Sequence, residues 1–255
     1  MKLGQTTPAI VSGGASGLGA TVATALRERG MPVGILDMNE AAGQAFAAEI
    51  GASFAQCDIS DAVAVSAALA KLRDMQGQER ICINCAGIAP AAKTVSRGAA
   101  HDPALYAKVV GVNLIGTFNV ATQTALAMST ADPLNEDDER GVIVNTASIA
   151  AYEGQMGQLA YASSKAGVIG LTLPMARDLA KSGIRVVAIA PGIFATPMVT
   201  GFPQEVQDAL ALTSEFPRRL GKPAEFAALA IHIAENTMLN GEVIRLDAAT
   251  RMQAK

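Results

Sequence analysis

A tyrosine and a lysine stand one helical turn apart in the run Q-L-A-Y-A-S-S-K, residues 158–165. Side chains four residues apart share one face of a helix, so Tyr161 and Lys165 can interact there. A neighbouring ammonium group stabilises the tyrosinate, which lowers the pKa of the phenol and suits the pair to acid–base catalysis. The alternative is an exposed aromatic residue beside an exposed cation, and the surrounding motifs decide between the two.

A glycine-rich stretch, S-G-G-A-S-G-L-G at residues 12–19, follows an apolar run and precedes a helical pattern. Glycines permit a tight turn, and a helix N-terminus presents free N–H groups and a positive dipole end to a pyrophosphate. The spacing of Gly13, Gly17 and Gly19 is G-x-x-x-G-x-G rather than the commoner G-x-G-x-x-G. Glycines also occur in ordinary turns, but the position between strand and helix favours a dinucleotide site.

Asp37 ends the next apolar run, I-L-D-M-N, where a carboxylate can accept hydrogen bonds from adenosine ribose hydroxyls. A 2′-phosphate would face that carboxylate, and neither Ser16 nor Met38 supplies a cation. This favours NAD over its phosphorylated form. A helix-capping or turn aspartate is the alternative. Asp58 is a candidate for a position near the adenine, with a helix N-cap as an equal alternative.

The elements that must position these residues follow an alternating order of strands and helices. The strand candidates are short, mostly apolar and bounded by Gly, Pro, Asp or Asn, as expected for strands buried on both faces of a parallel sheet. Alternation at this spacing predicts a single α/β domain over residues 1–255, with a doubly wound, seven-stranded parallel sheet and helices on both faces. The predicted strands are Ala9–Ser12, Pro32–Leu36, Ser53–Ala55, Ile81–Asn84, Val142–Thr146, Val186–Ala190 and Glu242–Leu246.

Helical patterns cover Gly19–Arg29, Ala62–Met75, Leu105–Met128 and Leu159–Lys181. Two segments break the alternation. The polar, acidic segment 129–141 is predicted to be a solvated loop. The long segment of about residues 192–220 follows a strand and contains a short amphipathic stretch, which is typical of a substrate lid.

Composition excludes several classes of protein. The 255 residues are 50% apolar with a net charge of −3, and no basic stripe indicates a nucleic-acid partner. We expect a cytoplasmic protein with no membrane partner, because we find no secretory signal and no apolar run long enough to span a bilayer. Cys82 and Cys85 lie too far apart in an extended strand for a disulfide, and no second pair completes a metal site.

Six motifs occur in order along the chain: the glycine-rich stretch, N-C-A-G at 84–87, V-N-L at 112–114, N-T-A-S at 145–148, Y-A-S-S-K at 161–165 and P-G-I-F-A-T-P at 191–197. Together they resemble the short-chain dehydrogenase/reductase family over the whole chain. The resemblance implies a Rossmann-type fold and a catalytic tetrad. Its members are Asn113, Ser148, Tyr161 and Lys165.

The resemblance and the motifs together assign roles to these residues. Tyr161 exchanges the hydroxyl proton, and Ser148 holds the substrate oxygen. Lys165, together with the positive nicotinamide, lowers the pKa of the phenol. Lys165 also binds the nicotinamide ribose, while Asn113 holds a proton-relaying water. The cofactor contacts are Ser12, Gly13, Ser16, Gly17, Leu18, Gly19, Asp37, Cys57, Asp58, Ile59, Asn84, Cys85, Ala86, Gly87, Tyr161, Lys165, Pro191, Gly192, Ile193, Phe194 and Thr196.

The substrate is expected to contact Ser148, Gln155, Gln158 and Tyr161. Further pocket candidates are Met156, Met198, Val199 and Leu210, for which helical packing is an alternative in the last three. Lys93 and Arg97 could meet a coenzyme A phosphate, although a solvated loop is the more conservative interpretation.

Within the family, E-G-Q-M-G-Q at 153–158 and L-P-M-A-R-D-L-A at 173–180 are similar to the members that act on acyl-CoA. The resemblance implies an NAD-dependent homotetramer that interconverts (S)-3-hydroxyacyl-CoA and 3-oxoacyl-CoA. Alternatives are a dehydrogenase of steroids or other secondary alcohols, a 3-oxoacyl carrier-protein reductase, and a non-catalytic NAD-binding module. The chain departs from the common pattern at Cys85, Gly111 and D-A-A at 247–249, none of which removes a tetrad residue.

Overall fold

A seven-stranded parallel sheet forms the centre of the protein, whose computed structural model describes residues 1–254. The strand order is β3-β2-β1-β4-β7-β8-β9, and all neighbours in this sheet are parallel. A separate antiparallel hairpin supplies β5 and β6. The strands are β1 Ala9–Ser12, β2 Val33–Asp37, β3 Ser53–Gln56, β4 Ile81–Asn84, β5 Val95–Ser96, β6 Ala99–Ala100, β7 Gly141–Thr146, β8 Ile184–Pro191 and β9 Val243–Leu246.

Helices cover both faces of this sheet. Successive strand residues point to opposite faces, so Val11 joins a core with α1 and α9, whereas Ile10 joins a core with α3, α5 and α6. The predicted doubly wound architecture is confirmed. The helices are α1 Gly17–Arg27, α2 Glu40–Ile50, α3 Ala62–Gln76, α4 Pro103–Val110, α5 Thr117–Ser129, α6 Leu159–Leu179, α7 Pro197–Thr200, α8 Gln204–Ala211 and α9 Pro223–Glu235.

The topology opens a crevice at one edge of the sheet. The chain leaves β1 towards β2 on one side, while β4 pairs on the other side, so the connections diverge between β1 and β4. Ser12 is in register with Asn84, and Asn84 with Asn145. Ligands of doubly wound sheets bind where such connections diverge. The glycine-rich loop and the N-C-A-G loop therefore emerge together at the expected ligand site.

The predicted helix Leu105–Met128 is part of one continuous helical segment that has a π-helical stretch, Gly111–Gly116, between α4 and α5. The segment Pro103–Ser129 is long and apolar enough to cross a membrane by length and composition, with a mean hydropathy of 1.3 over its best window. The prediction that no apolar run is long enough to span a bilayer was therefore wrong. The segment packs against the sheet and α6, but only 39% of that window is buried, so an apolar face is left open.

The sequence predicted that the acidic segment 129–141 is a solvated loop. In the structure, part of this segment is buried. Glu139 is 5% exposed and pairs with Arg185 of β8 at 2.9 Å. Arg185 also donates hydrogen bonds to backbone carbonyls at the end of α9, among them Ile233 and Ala234. The partner lies 46 residues away, so the local acidic composition does not reveal this buried ion pair.

Candidate active site

Helix α6 carries the tyrosine and lysine of the opening motif in its first two turns. Lys165 is 3% exposed, and its Nζ donates a 2.7 Å hydrogen bond to the backbone oxygen of Thr146. The same nitrogen lies 5.9 Å from the centre of the Tyr161 ring. The helix therefore places both groups on one face, next to the end of β7.

Ser148 faces this pair from the loop after β7. It is 7% exposed, and its hydroxyl accepts a 3.1 Å hydrogen bond from the N–H of Ala150 in the 3₁₀ turn Ile149–Ala151. The Ser148 hydroxyl is near enough to Tyr161 to act on the pKa of its phenol, which it lowers. Two hydroxyl groups thus meet where a carbonyl oxygen could accept hydrogen bonds from both.

The sequence pattern predicted that Asn113 lies in an ordinary helix. The structure places it in the π-helical stretch Gly111–Gly116. Its side chain exchanges two hydrogen bonds with the backbone of Ile88, at 2.8 and 2.9 Å, and donates a third to Ser164. A Cβ atom on Gly87 would lie 3.2 Å from Asn113 Oδ1 and 3.6 Å from Lys165 Nζ. Glycine at that position therefore allows the N-C-A-G loop to approach both groups.

The electrostatics of the chain alone show what a bound cofactor would have to change. Removal from water raises the pKa of Tyr161, and the Ser148 side chain only partly opposes this. Burial also lowers the pKa of Lys165 to about 8. Burial penalises both charged forms in the chain by itself. The predicted depression of the phenol pKa includes the charge of the positive nicotinamide and stays a prediction.

The glycine-rich loop has the conformation that a close phosphate site needs. Gly13 and Gly17 have φ angles of 66° and 56°, which side chains other than glycine rarely adopt. A Cβ atom on Gly13 would lie 2.6 Å from the backbone of Ala86. Ser16 precedes α1 in an extended conformation and makes no side-chain cap. The first turn of α1 can therefore direct its N–H groups at a bound anion.

Asp37 lies at the carboxyl end of β2, beside that loop. Its two carboxylate oxygens accept hydrogen bonds from the N–H groups of Ala15, at 3.1 Å, and Asn39, at 3.0 Å. Asn39 is the N-cap of α2, so Asp37 does not cap that helix, but its bond with the N–H two residues on gives it the turn role that was the other part of the alternative. Both oxygens retain lone pairs that can accept hydrogen bonds from ribose hydroxyls.

Comparison with known proteins decides the family. A family model described as short chain dehydrogenase matches residues 7–207. The chain belongs to the short-chain dehydrogenase family. It is 49% identical to the 3-hydroxyacyl-CoA dehydrogenase type-2 of Bos taurus, over 96% of this chain and 95% of that protein, and 48% identical to the Homo sapiens protein over the same shares. A crystal structure of 3-hydroxyacyl-CoA dehydrogenase type-2 from Mycobacterium avium superimposes with a TM-score of 0.93, at 41% identity and full coverage of both chains.

Short-chain dehydrogenases use a nicotinamide cofactor, and the residues of this dehydrogenase fit one. The ammonium of Lys165 has three donors, of which one is used by Thr146. A Cβ atom on Gly17 would lie 3.6 Å from Thr196, so segment 192–220, the predicted lid, begins against the glycine-rich loop. The crevice thus offers N–H groups for phosphates and a cation for ribose hydroxyls.

Several predicted cofactor residues of the dehydrogenase direct their side chains elsewhere. The Ser12 hydroxyl donates to Asn84 at 2.9 Å, and Asn84 donates to Asn145 at 2.9 Å, forming a buried ladder beneath the crevice. Phe194 is buried and packs edge-to-face on Phe226. Three further predicted cofactor residues pack their side chains into the cores: Leu18, Cys57 and Ile59. Only the backbone atoms of these residues, and of Ser12, Asn84 and Phe194, could contact a cofactor.

Asp58 turns its carboxylate into a local turn. It accepts hydrogen bonds from the N–H and the hydroxyl of Ser60, at 2.9 and 2.7 Å. The N-cap of α3 is Asp61, so the predicted capping alternative for Asp58 was wrong.

Cys85 replaces the second asparagine that is usual in the N-C-A-G motif. It accepts a hydrogen bond from the Thr146 hydroxyl, and burial raises the pKa of its thiol to about 11. Pro191 ends β8, and Gly192 and Ile193 lead into the lid.

A cavity of about 710 Å³ lies between the turn that follows Ser148 and the start of α6, and no tetrad residue lines it. Gln155 and Gln158, both predicted to contact substrate, line it together with Met156 and Lys93. Met198, Val199 and Leu210 lie on the lid and do not line it, and Arg97 occupies the turn of the β5–β6 hairpin. Among residues 1–254, no cluster of three potential metal ligands occurs.

Sequence reasoning missed Thr146 and residues 250–254. Thr146 contacts Lys165 and Cys85, whereas the C-terminal residues reach the cavity through Ala254. The position of Thr146, at the end of a buried strand two residues before Ser148, is a signal that could have identified it. The placement of the C-terminal residues depends on contacts with residues almost 100 positions away.

Proposed function

We propose that the protein interconverts (S)-3-hydroxyacyl-CoA and 3-oxoacyl-CoA with NAD as the hydride acceptor or donor. The observation that carries the proposal is the convergence of Ser148, Tyr161 and buried Lys165 beside a dinucleotide crevice. The names of its relatives, at 48–49% identity, support the substrate class.

Three of the four tetrad residues act directly on the substrate or the cofactor in this proposal. The bound nicotinamide supplies a hydride acceptor and, in its oxidised form, positive charge. Tyr161 takes or returns the proton of the substrate hydroxyl, while Ser148 donates a hydrogen bond to the substrate oxygen. Lys165 favours the phenolate and binds a ribose hydroxyl. Bringing a phenol pKa from 10 to about 7 requires roughly 4 kcal/mol, and in this proposal Lys165 and the positive nicotinamide supply it against the opposing effect of burial.

The thioester should matter for turnover. We expect kcat/KM for acetoacetyl-CoA reduction to exceed that of a simple methyl ketone by about 100-fold or more, because remote binding energy positions the reacting carbonyl. Lys93 lines the cavity and could pair with a coenzyme A phosphate, which contributes about 0–1 kcal/mol when exposed. Initial rates with the two ketones test the ratio of kcat/KM. Repeating them at low and high salt tests the ion pair of Lys93, which salt should weaken. Equal efficiency on the two ketones would contradict recognition of the thioester.

We also propose that the protein is a homotetramer. The 103–129 segment exposes Ile115, Phe118 and Leu126, and α6 exposes Leu173. Faces of this kind are typical of contacts between subunits. Light scattering at micromolar concentration should give four times the monomer mass. Leu126→Asp should lower that mass, whereas Val63→Asp, at an exposed position of α3, should not. A monomeric wild-type protein would refute the assembly.

A cytoplasmic location without nucleic-acid or membrane partners stays a prediction.

A further inference from the structure

Residues 250–254 fold back onto the loop that follows Ser148. The N–H of Met252 donates to Glu153 Oε2 at 3.0 Å. The side-chain amide of Gln155 donates to the backbone oxygen of Gln253 at 3.1 Å, and the N–H of Met156 donates to that of Ala254 at 3.0 Å. These hydrogen bonds join the two segments side by side.

An ionic cluster holds the start of this contact. Arg245 of β9 binds Glu153 at 2.8 Å and Asp247 at 2.7 Å, and it donates to the backbone oxygen of Thr250 at 2.9 Å. Arg251 lies 3.5 Å from Glu153. The Arg245 guanidinium holds the pKa of the Glu153 carboxyl below its usual range. Glu153 is thus a junction between the sheet, the loop after Ser148 and the C-terminal residues.

The contact reaches the cavity that the predicted substrate residues Gln155 and Gln158 line. Ala254, Gln155 and Met156 all line the 710 Å³ cavity, which Ala150 and Ala151 connect to the Ser148 turn. The side chain of Gln158 accepts a hydrogen bond from the N–H of Gln155 at 3.0 Å. A shift of residues 250–254 would therefore move the cavity wall that carries both glutamines, while the crevice between β1 and β4 is formed by other elements.

We propose that Glu153 and residues 250–254 form a latch that positions loop 153–158 for substrate binding. The latch acts on substrate affinity, because it holds the cavity wall, and not on hydride transfer or cofactor binding. Glu153 and Arg245 are positioning residues in this proposal. The inference rests on the proposed function for the identity of the substrate, but the existence of the latch does not depend on it.

Glu153→Ala should raise KM for acetoacetyl-CoA about tenfold, the effect expected from losing hydrogen bonds to a charged group. The kcat and the dissociation constant for NADH should change less than about twofold in the same variant, since neither depends on the latch. Glu153→Gln should recover part of the lost affinity because one amide oxygen can still accept a hydrogen bond. Glu49→Ala, at an exposed position of α2, is the control for loss of a surface glutamate.

A second readout is independent of the substrate. Amide hydrogen exchange should show protection at Met156 and Met252 in the wild type. Protection of Met156 should be lost in a chain that ends after Arg251, with NADH binding retained. Unaltered exchange at Met156 in that chain, or an unaltered KM in Glu153→Ala, would overturn the latch. Failure of the wild type to reduce acetoacetyl-CoA, with the expected exchange pattern present, would instead count against the proposed function alone.

Discussion

Tyr161→Phe should reduce turnover by about 10²–10⁴-fold, the range that a positioned general acid or base contributes. The substitution removes the phenol hydroxyl, whose pKa Ser148 lowers, and leaves the ring beside Lys165. Folding and NADH binding should therefore be retained. Initial rates with acetoacetyl-CoA, together with NADH fluorescence titration, measure the two effects separately.

Tyr106→Phe is the matched control, because Tyr106 is partly exposed on α4 and hydrogen-bonds to Ser163. It should retain turnover within about twofold, as is usual for partly exposed positions away from a site. Substantial activity in Tyr161→Phe would remove the phenol from the account. An equal loss of turnover in Tyr106→Phe would also contradict the role of Tyr161, because the loss would then not be specific to the active site.

The pH dependence of oxidation follows from the phenol. Tyr161 acts as a base only when ionised, so the rate of alcohol oxidation should rise with pH. Burial raises the pKa of this phenol in the chain alone, whereas the oxidised cofactor adds positive charge beside it. The ionisation seen in kcat, which reports the bound complex, should therefore lie below that in the chain without cofactor. An ionisation at or above that of free tyrosine in the bound complex would contradict this assignment.

Asp37→Ala combined with Met38→Arg should shift the preference from NADH towards NADPH by about 100-fold. Each charged hydrogen bond gained or lost contributes about 1.5–3 kcal/mol. The carboxylate now lies at the end of β2, bonded to Ala15 and Asn39, and Met38 is exposed beside it. The ratio of kcat/KM for the two cofactors measures the shift.

Asp74→Ala combined with Met75→Arg, at exposed positions of α3, makes the same change in net charge and should leave the ratio unaltered. If the wild type uses NADPH as well as NADH, Asp37 does not have the assigned role. A failure of the double variant to gain NADPH would mean that the guanidinium at position 38 does not reach the 2′-phosphate.

The sequence predicted the sheet because its strands are short, apolar runs that need no distant partner for recognition. The bounds moved by one or two residues, as at β8, which starts at Ile184 instead of Val186. The placement of Tyr161 and Lys165 followed from helical spacing. The features that depend on distant residues were missed: the Glu139–Arg185 pair, the carbonyl of Thr146 on Lys165, and the contact of residues 250–254 with loop 153–158.

Side-chain direction was the other gap in the predicted site. Motif position correctly places Ser12 and Phe194 near the crevice, but the pleat of a strand and the packing of the lid decide where their side chains point. Ser12 joins the buried ladder with Asn84, and Phe194 packs on Phe226. The phenol pKa also depends on burial, which spacing along a helix does not reveal.

The central claim is NAD-linked turnover of a coenzyme A thioester. Its most direct test is one panel of initial rates, in which the purified protein reduces acetoacetyl-CoA, a longer 3-oxoacyl-CoA, a 3-oxoacyl carrier protein and a 17-keto steroid, each with NADH and with NADPH. The account predicts the highest kcat/KM for a coenzyme A thioester with NADH. A higher kcat/KM for the steroid or the carrier-protein substrate, or for NADPH with any substrate, would contradict it.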